Sequence, residues 1–293
     1  MKVLLTGATG FIGRQIVQDL QKKKIDFTCY IKRSFKNEEI AKNNNLKVIY
    51  GTLEDTPALM QATKEIDTVI HLAALLRTND KTDLKIANVD GTKNILQASI
   101  LNNVKHFIFI SSYLALPQFS SYYGYTKREA EKLVKAVGIN YTILKPTLVY
   151  GKDDYYLSSI ASILKKYKII PLPADFNLQP VHVSDVSNAV ISCINNKKAI
   201  NKEYMLAGPS TIRFSSFISA VSSKLSLKRR TIILPAALVK PALFFYEKIN
   251  RNAMLTSSQL SDLKKFSQID IDEAKKDLKF NPISLEQGLS LSI

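Results

Sequence analysis

Short apolar runs alternate, through the first half of the chain, with stretches whose apolar residues recur every third or fourth position. Val3-Leu4-Leu5 is such a run, followed by Phe11–Leu20 at helical spacing. Asp26–Ile31, Leu46–Tyr50, Thr68–Ala74, His106–Ile110 and Tyr141–Leu144 read as further strands, apolar enough to be buried on both faces. Between them the periodicity predicts a helix begun at Pro57, one long helix over Thr82–Asn102 and one over Ser121–Ala136. Six strands alternating with helices predict an α/β fold with a doubly wound parallel sheet, whose ligands lie at the carboxyl ends of the strands. After Lys145-Pro146 the regularity weakens. A helix over Leu157–Lys166 and another through Cys193, capped by Asp185, are the clearest elements there. The expected organisation is a dinucleotide-binding core over residues 1–150 and a smaller α+β lobe over 151–293, with some chain returning to the core.

The first strand runs into Thr6-Gly7-Ala8-Thr9-Gly10-Phe11-Ile12-Gly13. In a strand–turn–helix context this spacing has a mechanism. Gly7 allows the tight turn, Gly10 lets backbone approach a pyrophosphate, and Gly13 lets helix and strand pack closely. Free N–H groups at the helix start then hold the phosphates. The second strand ends in Lys32-Arg33-Ser34, without the carboxylate that would grip a ribose 2′-hydroxyl. Two cations there favour a 2′-phosphate, hence NADP over NAD. Leu72-Ala73-Ala74 is a run that ends in small residues where backbone can pass close to a ligand, and the apolar-flanked His71 reads as a core residue.

Three tyrosines crowd Ser121–Tyr125, but only Tyr123 has a lysine, Lys127, four residues on. That spacing puts both on one helix face. A nearby ammonium favours phenolate and is expected to lower the tyrosine's pKa toward neutrality, making it a usable acid or base. Ser112, at the end of the fifth strand, is placed to hydrogen-bond the same substrate oxygen.

Composition adds a net charge of +16 to an otherwise ordinary hydrophobic content of 46%. Such a charge favours anionic ligands and acidic or lipid surfaces. No basic cluster interleaved with stacking aromatics is visible, which argues against nucleic acid. Cys29 and Cys193 form no metal or redox spacing, and no metal site is expected. An immediate first strand and no membrane-length apolar run predict a cytoplasmic protein. The segment Ile232–Ile249 is apolar almost all round. It reads as a packed part of the lobe covering the cleft, with a docking surface for an anionic membrane or protein complex as the alternative. A homodimer is compatible with the sequence.

These residues together resemble a family, the extended short-chain dehydrogenases/reductases, also called the NAD-dependent epimerase/dehydratase family. The resemblance rests on Thr6–Gly13, His71–Ala74, Asn88-Val89-Asp90-Gly91-Thr92, Ile110-Ser111-Ser112, Tyr123 with Lys127, and Val181–Val186. It implies a catalytic triad of Ser112, Tyr123 and Lys127 supported by Asn88. It also implies a dinucleotide site that takes in Thr9, Phe11, Ile12, Thr52, Leu53, Leu72, Lys145 and Pro146, and an oxidoreductase or epimerase that transfers hydride at a carbinol or carbonyl of a nucleotide sugar or other small metabolite. Three departures stand out: Thr52 replaces an adenine-binding Asp, Lys145 replaces Arg before Pro146, and Leu178 replaces an arginine that grips the diphosphate of nucleotide sugars. A narrower likeness, over Lys145–Leu157 and Gln179–Val186, is to the branch containing the NADPH-binding accessory subunit of respiratory complex I. That branch implies the alternative of a cofactor-stabilised, non-catalytic assembly subunit.

Overall fold

The structure, a computed structural model, describes residues 1–76, 78, 80–235, 239, 241, 262 and 265–293. Much of the segment Ile232–Ile249 singled out in the sequence therefore lies outside the described residues.

Strands β1 (Val3–Thr6), β2 (Phe27–Ile31), β3 (Val48–Tyr50), β4 (Thr68–His71), β5 (His106–Ile110) and β6 (Asn140–Pro146) fall where the apolar runs predict. They form one parallel sheet, but it has seven strands rather than six, in the order β3-β2-β1-β4-β5-β6 and then Lys202–Leu206. Chain order reverses between β1 and β4, which makes the carboxyl ends of those two strands the crevice of the sheet. Alternate residues face opposite ways. Leu5, Ile70, Ile108 and Leu144 pack under helix α1 (Phe11–Lys22) and the helices Val183–Cys193 and Asp272–Leu278. Leu4, Val69, Phe107 and Ile143 pack under α3 (Thr56–Thr63), α5 (Gly91–Leu101) and α6 (Tyr122–Ala136). Each buried aliphatic or aromatic side chain contributes about 1.5–3 kcal/mol to holding these layers together.

Two local expectations are corrected. The long helix over Thr82–Asn102 is not uniform: α4 (Lys81–Lys85) passes into a π-helical turn over Ile86–Asp90 before α5 begins. Asn88 sits in that turn, where its carbonyl accepts the Thr92 hydroxyl at 2.7 Å. The helix Val183–Cys193 is capped by His182, whose ring accepts from the Ser184 N–H, and not by Asp185. Asp185 lies inside the first turn and takes the Ile283 N–H at 3.1 Å. Burial pushes its carboxyl up to about 6.

A third apolar cluster is built by the later chain. Tyr150, Leu157, Leu164, Ile170, Leu172, Phe217 and Val221 bring together α7 (Tyr155–Lys166), α9 (Phe214–Lys224) and a small parallel pair, β8 (Ile169–Leu172) with β13 (Arg230–Ile233). Among the described residues no helix is long and apolar enough to cross a membrane.

Candidate active site

The glycine loop after β1 is dictated partly by the fold and partly by something outside it. Gly7 has φ +76°, and a Cβ there would meet the Ala73 nitrogen at 2.7 Å. At Gly13 a Cβ would lie 2.1 Å from the Gly7 carbonyl oxygen. Both positions are closed to any other residue. At Gly10 the nearest atom would be 3.2 Å away, so the protein itself tolerates a Cβ there far better. The bare face at Gly10 is room on the outer side, where a ligand's phosphates would pass. Helix α1 has no side-chain cap and no acid in its first turn. The N–H groups of Phe11, Ile12 and Gly13 find no partner among the described residues, while Thr9 gives its carbonyl to Arg14 at 3.2 Å. These uncapped donors on a positive helix end suit a pyrophosphate.

The other residues expected in the dinucleotide site gather on the same edge of the sheet. Exposed Lys32 and Arg33 follow β2; the Arg33 guanidinium lies 4.4 Å over the Tyr50 ring and 3.2 Å from Glu38. Glu38, on the first turn of the next helix, is the carboxylate that the sequence reading overlooks. Thr52 follows β3, its carbonyl held by the Tyr30 hydroxyl at 2.7 Å, and the Leu53 carbonyl is held by Asn94 at 2.8 Å. Leu72, Ala73 and Ala74 follow β4, the first two bonded to Thr6.

His71 is a structural link whose tautomer can be deduced. The Thr6 hydroxyl, which accepts the Ala73 N–H, lies 2.7 Å from His71 Nδ1 and donates to it when that nitrogen carries no hydrogen. The Thr92 hydroxyl donates to the Asn88 carbonyl, so it must accept from His71 Nε2 at 3.1 Å. The ring is thus neutral with its hydrogen on Nε2, in keeping with a pKa driven to about 3 by burial first and by Lys127 second. The relay joins the end of β1 to Asn88. The Asn88 amide in turn accepts from the Leu75 N–H at 2.7 Å and donates to the Leu75 carbonyl at 2.9 Å and to Thr126 Oγ1 at 3.1 Å. Thr126 then donates to the Tyr123 carbonyl at 2.8 Å. Asn88 therefore fastens the loop after β4 to the first turn of α6.

Tyr123 and Lys127 lie one turn apart on α6, and Ser112 lies at the end of β5, its hydroxyl accepting the Leu114 N–H at 3.2 Å. Lys127 is 1% exposed, with its ammonium 4.2 Å from the centre of the Phe109 ring. No salt bridge or hydrogen bond reaches that ammonium among the described residues. Burial pulls its pKa down to about 7, against a smaller upward pull from Glu131. The expectation for Tyr123 is overturned: burial, with a further push from neighbouring Tyr156, raises its phenol above the ordinary tyrosine value. The spacing does put Lys127 one turn away, but burial dominates the shift and drives it upward. By area Tyr123 is only half-buried.

Lys145 belongs to a different group of contacts. It pairs with Glu131 at 2.9 Å and Glu203 at 2.6 Å, and Glu131 also accepts from the Ser111 hydroxyl. Pro146 follows it at the end of β6. Glu131 stands four residues beyond Lys127, so its place on the same helix face was readable from spacing. Asp262 was not readable from any local signal. Its carboxylate is fully buried and accepts from the Ser120 N–H, the Ser120 hydroxyl at 2.8 Å and the Ser121 N–H at 2.7 Å. It thereby fixes the chain just before Tyr123.

Comparison with known proteins agrees with this geometry. Residues 3–207 match the family model described as NAD dependent epimerase/dehydratase family. A UDP-glucose 4-epimerase of Vibrio cholerae is 26% identical over 318 aligned residues, covering 98% of this chain and 92% of that protein. The 40 kDa mitochondrial subunit of NADH-ubiquinone oxidoreductase of Neurospora crassa is 24% identical over 238 residues, covering 80% of this chain but 63% of that subunit. The chain thus spans less than two thirds of that relative's length. Among solved structures, gox2253 superposes with a TM-score of 0.82 at 22% identity, covering 99% of this chain and 96% of the other. MoeE5 in complex with UDP-glucuronic acid and NAD gives 0.79 at 22% identity, covering 100% and 97%. At that identity the likeness is one of fold.

Proposed function

The chain belongs to the NAD dependent epimerase/dehydratase family, and on that premise we propose that it is an NADP(H)-dependent oxidoreductase acting at a carbinol or carbonyl carbon of a small molecule. The observation that carries the reading is Lys127. A fold does not ordinarily bury an ammonium without a carboxylate or hydrogen-bond partner, and here one stands a single turn from Tyr123 at the carboxyl end of β5. The nicotinamide of the bound dinucleotide would supply the acceptor or donor of hydride. The N–H groups of Phe11, Ile12 and Gly13 would hold its pyrophosphate, and Lys32 and Arg33 its 2′-phosphate.

Tyr123, kept protonated by burial, is prepared to donate a proton to an oxygen that becomes alkoxide as its carbonyl carbon is reduced. In the opposite direction the charged form of Lys127 would stabilise phenolate. Ser112 is the second group for the same oxygen. Leu178, where nucleotide-sugar enzymes carry an arginine, is 4% exposed and part of the apolar cluster of the later chain. That supports a small substrate without a diphosphate, although relatives of this fold have been solved with UDP-sugars.

A second reading, a dinucleotide-stabilised assembly subunit without turnover, is favoured by the likeness to mitochondrial complex I subunits. One experiment separates the two. The purified protein is denatured, released molecules are identified by mass spectrometry, and turnover of the reduced dinucleotide is followed against a panel of small carbonyl compounds. Turnover that Tyr123→Phe lowers by about 10²–10⁴-fold, with dinucleotide binding retained, is the expected result. Tightly held dinucleotide, with any turnover untouched by Tyr123→Phe, would favour the subunit.

A further inference from the structure

Two basic runs far apart in sequence, Lys165-Lys166-Tyr167-Lys168 and Lys228-Arg229-Arg230, meet in the structure. Arg230 pairs with Ile169 in the β8–β13 register and donates its N–H to the Lys168 carbonyl at 3.1 Å. The Arg229 side chain donates to the Leu164 carbonyl at 2.6 Å and so caps the end of α7. None of the six cations is paired with a carboxylate among the described residues. On the same small sheet Ile170 and Leu172 point into the core, whereas Ile169 and Ile232, on the opposite face by register, are 55% and 42% exposed, beside Tyr167 at 50%. An unneutralised basic rim around outward isoleucines is unusual for a folded surface, since either feature alone would suffice for solubility or for chance exposure.

We propose that this face of α7, β8 and β13 docks on an anionic lipid surface. Clustered lysine and arginine draw the protein to acidic headgroups, and the isoleucines and Tyr167 then enter the boundary between headgroups and acyl chains. An acidic protein would answer the charge but not the exposed aliphatics. A nucleic acid would answer the charge too, but Tyr167 is the one aromatic in the patch among the described residues, and its ring faces the Lys166 ammonium at 5.2 Å. Helix α7 carries the patch at its C-terminal end, about 18 Å from its own first turn.

The test is co-sedimentation of the full chain with sucrose-loaded vesicles of phosphatidylcholine, with and without phosphatidylglycerol, at physiological ionic strength. Binding is expected only with phosphatidylglycerol. Lys166→Gln with Arg230→Gln should weaken it about 25-fold, on about fivefold for each cation removed. Lys165→Gln with Lys168→Gln should do the same, and Ile169→Ser with Ile232→Ser should weaken it at unchanged charge. Lys197→Gln with Lys198→Gln, an equal loss of charge elsewhere on the surface, should leave it intact. Dinucleotide binding serves as the folding control for every variant. Equal sedimentation with neutral vesicles, equal weakening by the Lys197/Lys198 pair, no sedimentation at all, or displacement from vesicles by single-stranded RNA would each overturn the proposal.

Discussion

Replacing Lys127 by methionine should make the protein more stable at neutral pH, and less so as the solution becomes alkaline. Lys127 has an ordinary value of 10.5 and is held at about 7 in the fold, chiefly by burial. That difference costs the charged form about 5 kcal/mol, at about 1.4 kcal/mol per tenfold. The unfolded chain keeps its proton up to the ordinary value, while the folded chain releases it near 7. Between those two values the unfolded state binds more protons, so stability rises with pH. Below about pH 7 the deficit is complete; at pH 7 itself it is about 4 kcal/mol, and by about pH 10 it has nearly vanished. Methionine keeps the length and the contact with the Phe109 ring but carries no charge. Urea unfolding of both proteins, followed by circular dichroism at about pH 7 and about pH 10, gives the difference directly and needs no substrate. Burial also raises Tyr113, Tyr150 and Tyr204, which removes stability at high pH from both proteins alike and cancels. A difference that does not change with pH, or a methionine variant less stable at neutral pH, would refute the account of Lys127 as a buried, uncompensated ammonium.

The glycine loop predicts a contrast: Gly13→Ala should fail to fold or lose several kcal/mol, whereas Gly10→Ala should unfold within about 1 kcal/mol of the wild type yet bind dinucleotide far more weakly. Thermal unfolding and fluorescence titration check both halves. Lys32→Asp with Arg33→Ser should turn a preference for NADP(H) into one for NAD(H), read by titrating both dinucleotides; an unchanged preference would remove these two residues from the site.

What the sequence revealed, and what it hid, follows from where the physics is stored. The dinucleotide loop is legible because strand, glycines and helix are contiguous, and Gly7 and Gly13 are needed by the backbone itself. Tyr123 and Lys127 are legible because one helical turn is a local fact. The direction of the Tyr123 shift is not, because it is set first by burial in the folded chain and then by the electrostatic push of Tyr156, 33 residues away in sequence. The seventh strand is written Lys202-Glu203-Tyr204-Met205-Leu206. Its charges read as surface until Asp277 is found 2.6 Å from Lys202, and Lys145 at the same distance from Glu203. Nor could two short basic runs be read as one patch before β8 and β13 were known to pair.

The clamp that Asp262 places on Ser120 and Ser121 has a consequence for the order of events in time. It closes a contact across 142 residues, and contacts of that span form late because so much chain must first be brought together. On the ribosome the six strands through Pro146, together with α1, are synthesised well before Asp262 emerges. The nascent chain can thus form the sheet edge around the glycine loop, and tie the first turn of α6 to Leu75 through Asn88, while Ser120 and Ser121 still lack the carboxylate that fixes them. The last tie to form at this corner would then be the one that holds the chain just before Tyr123.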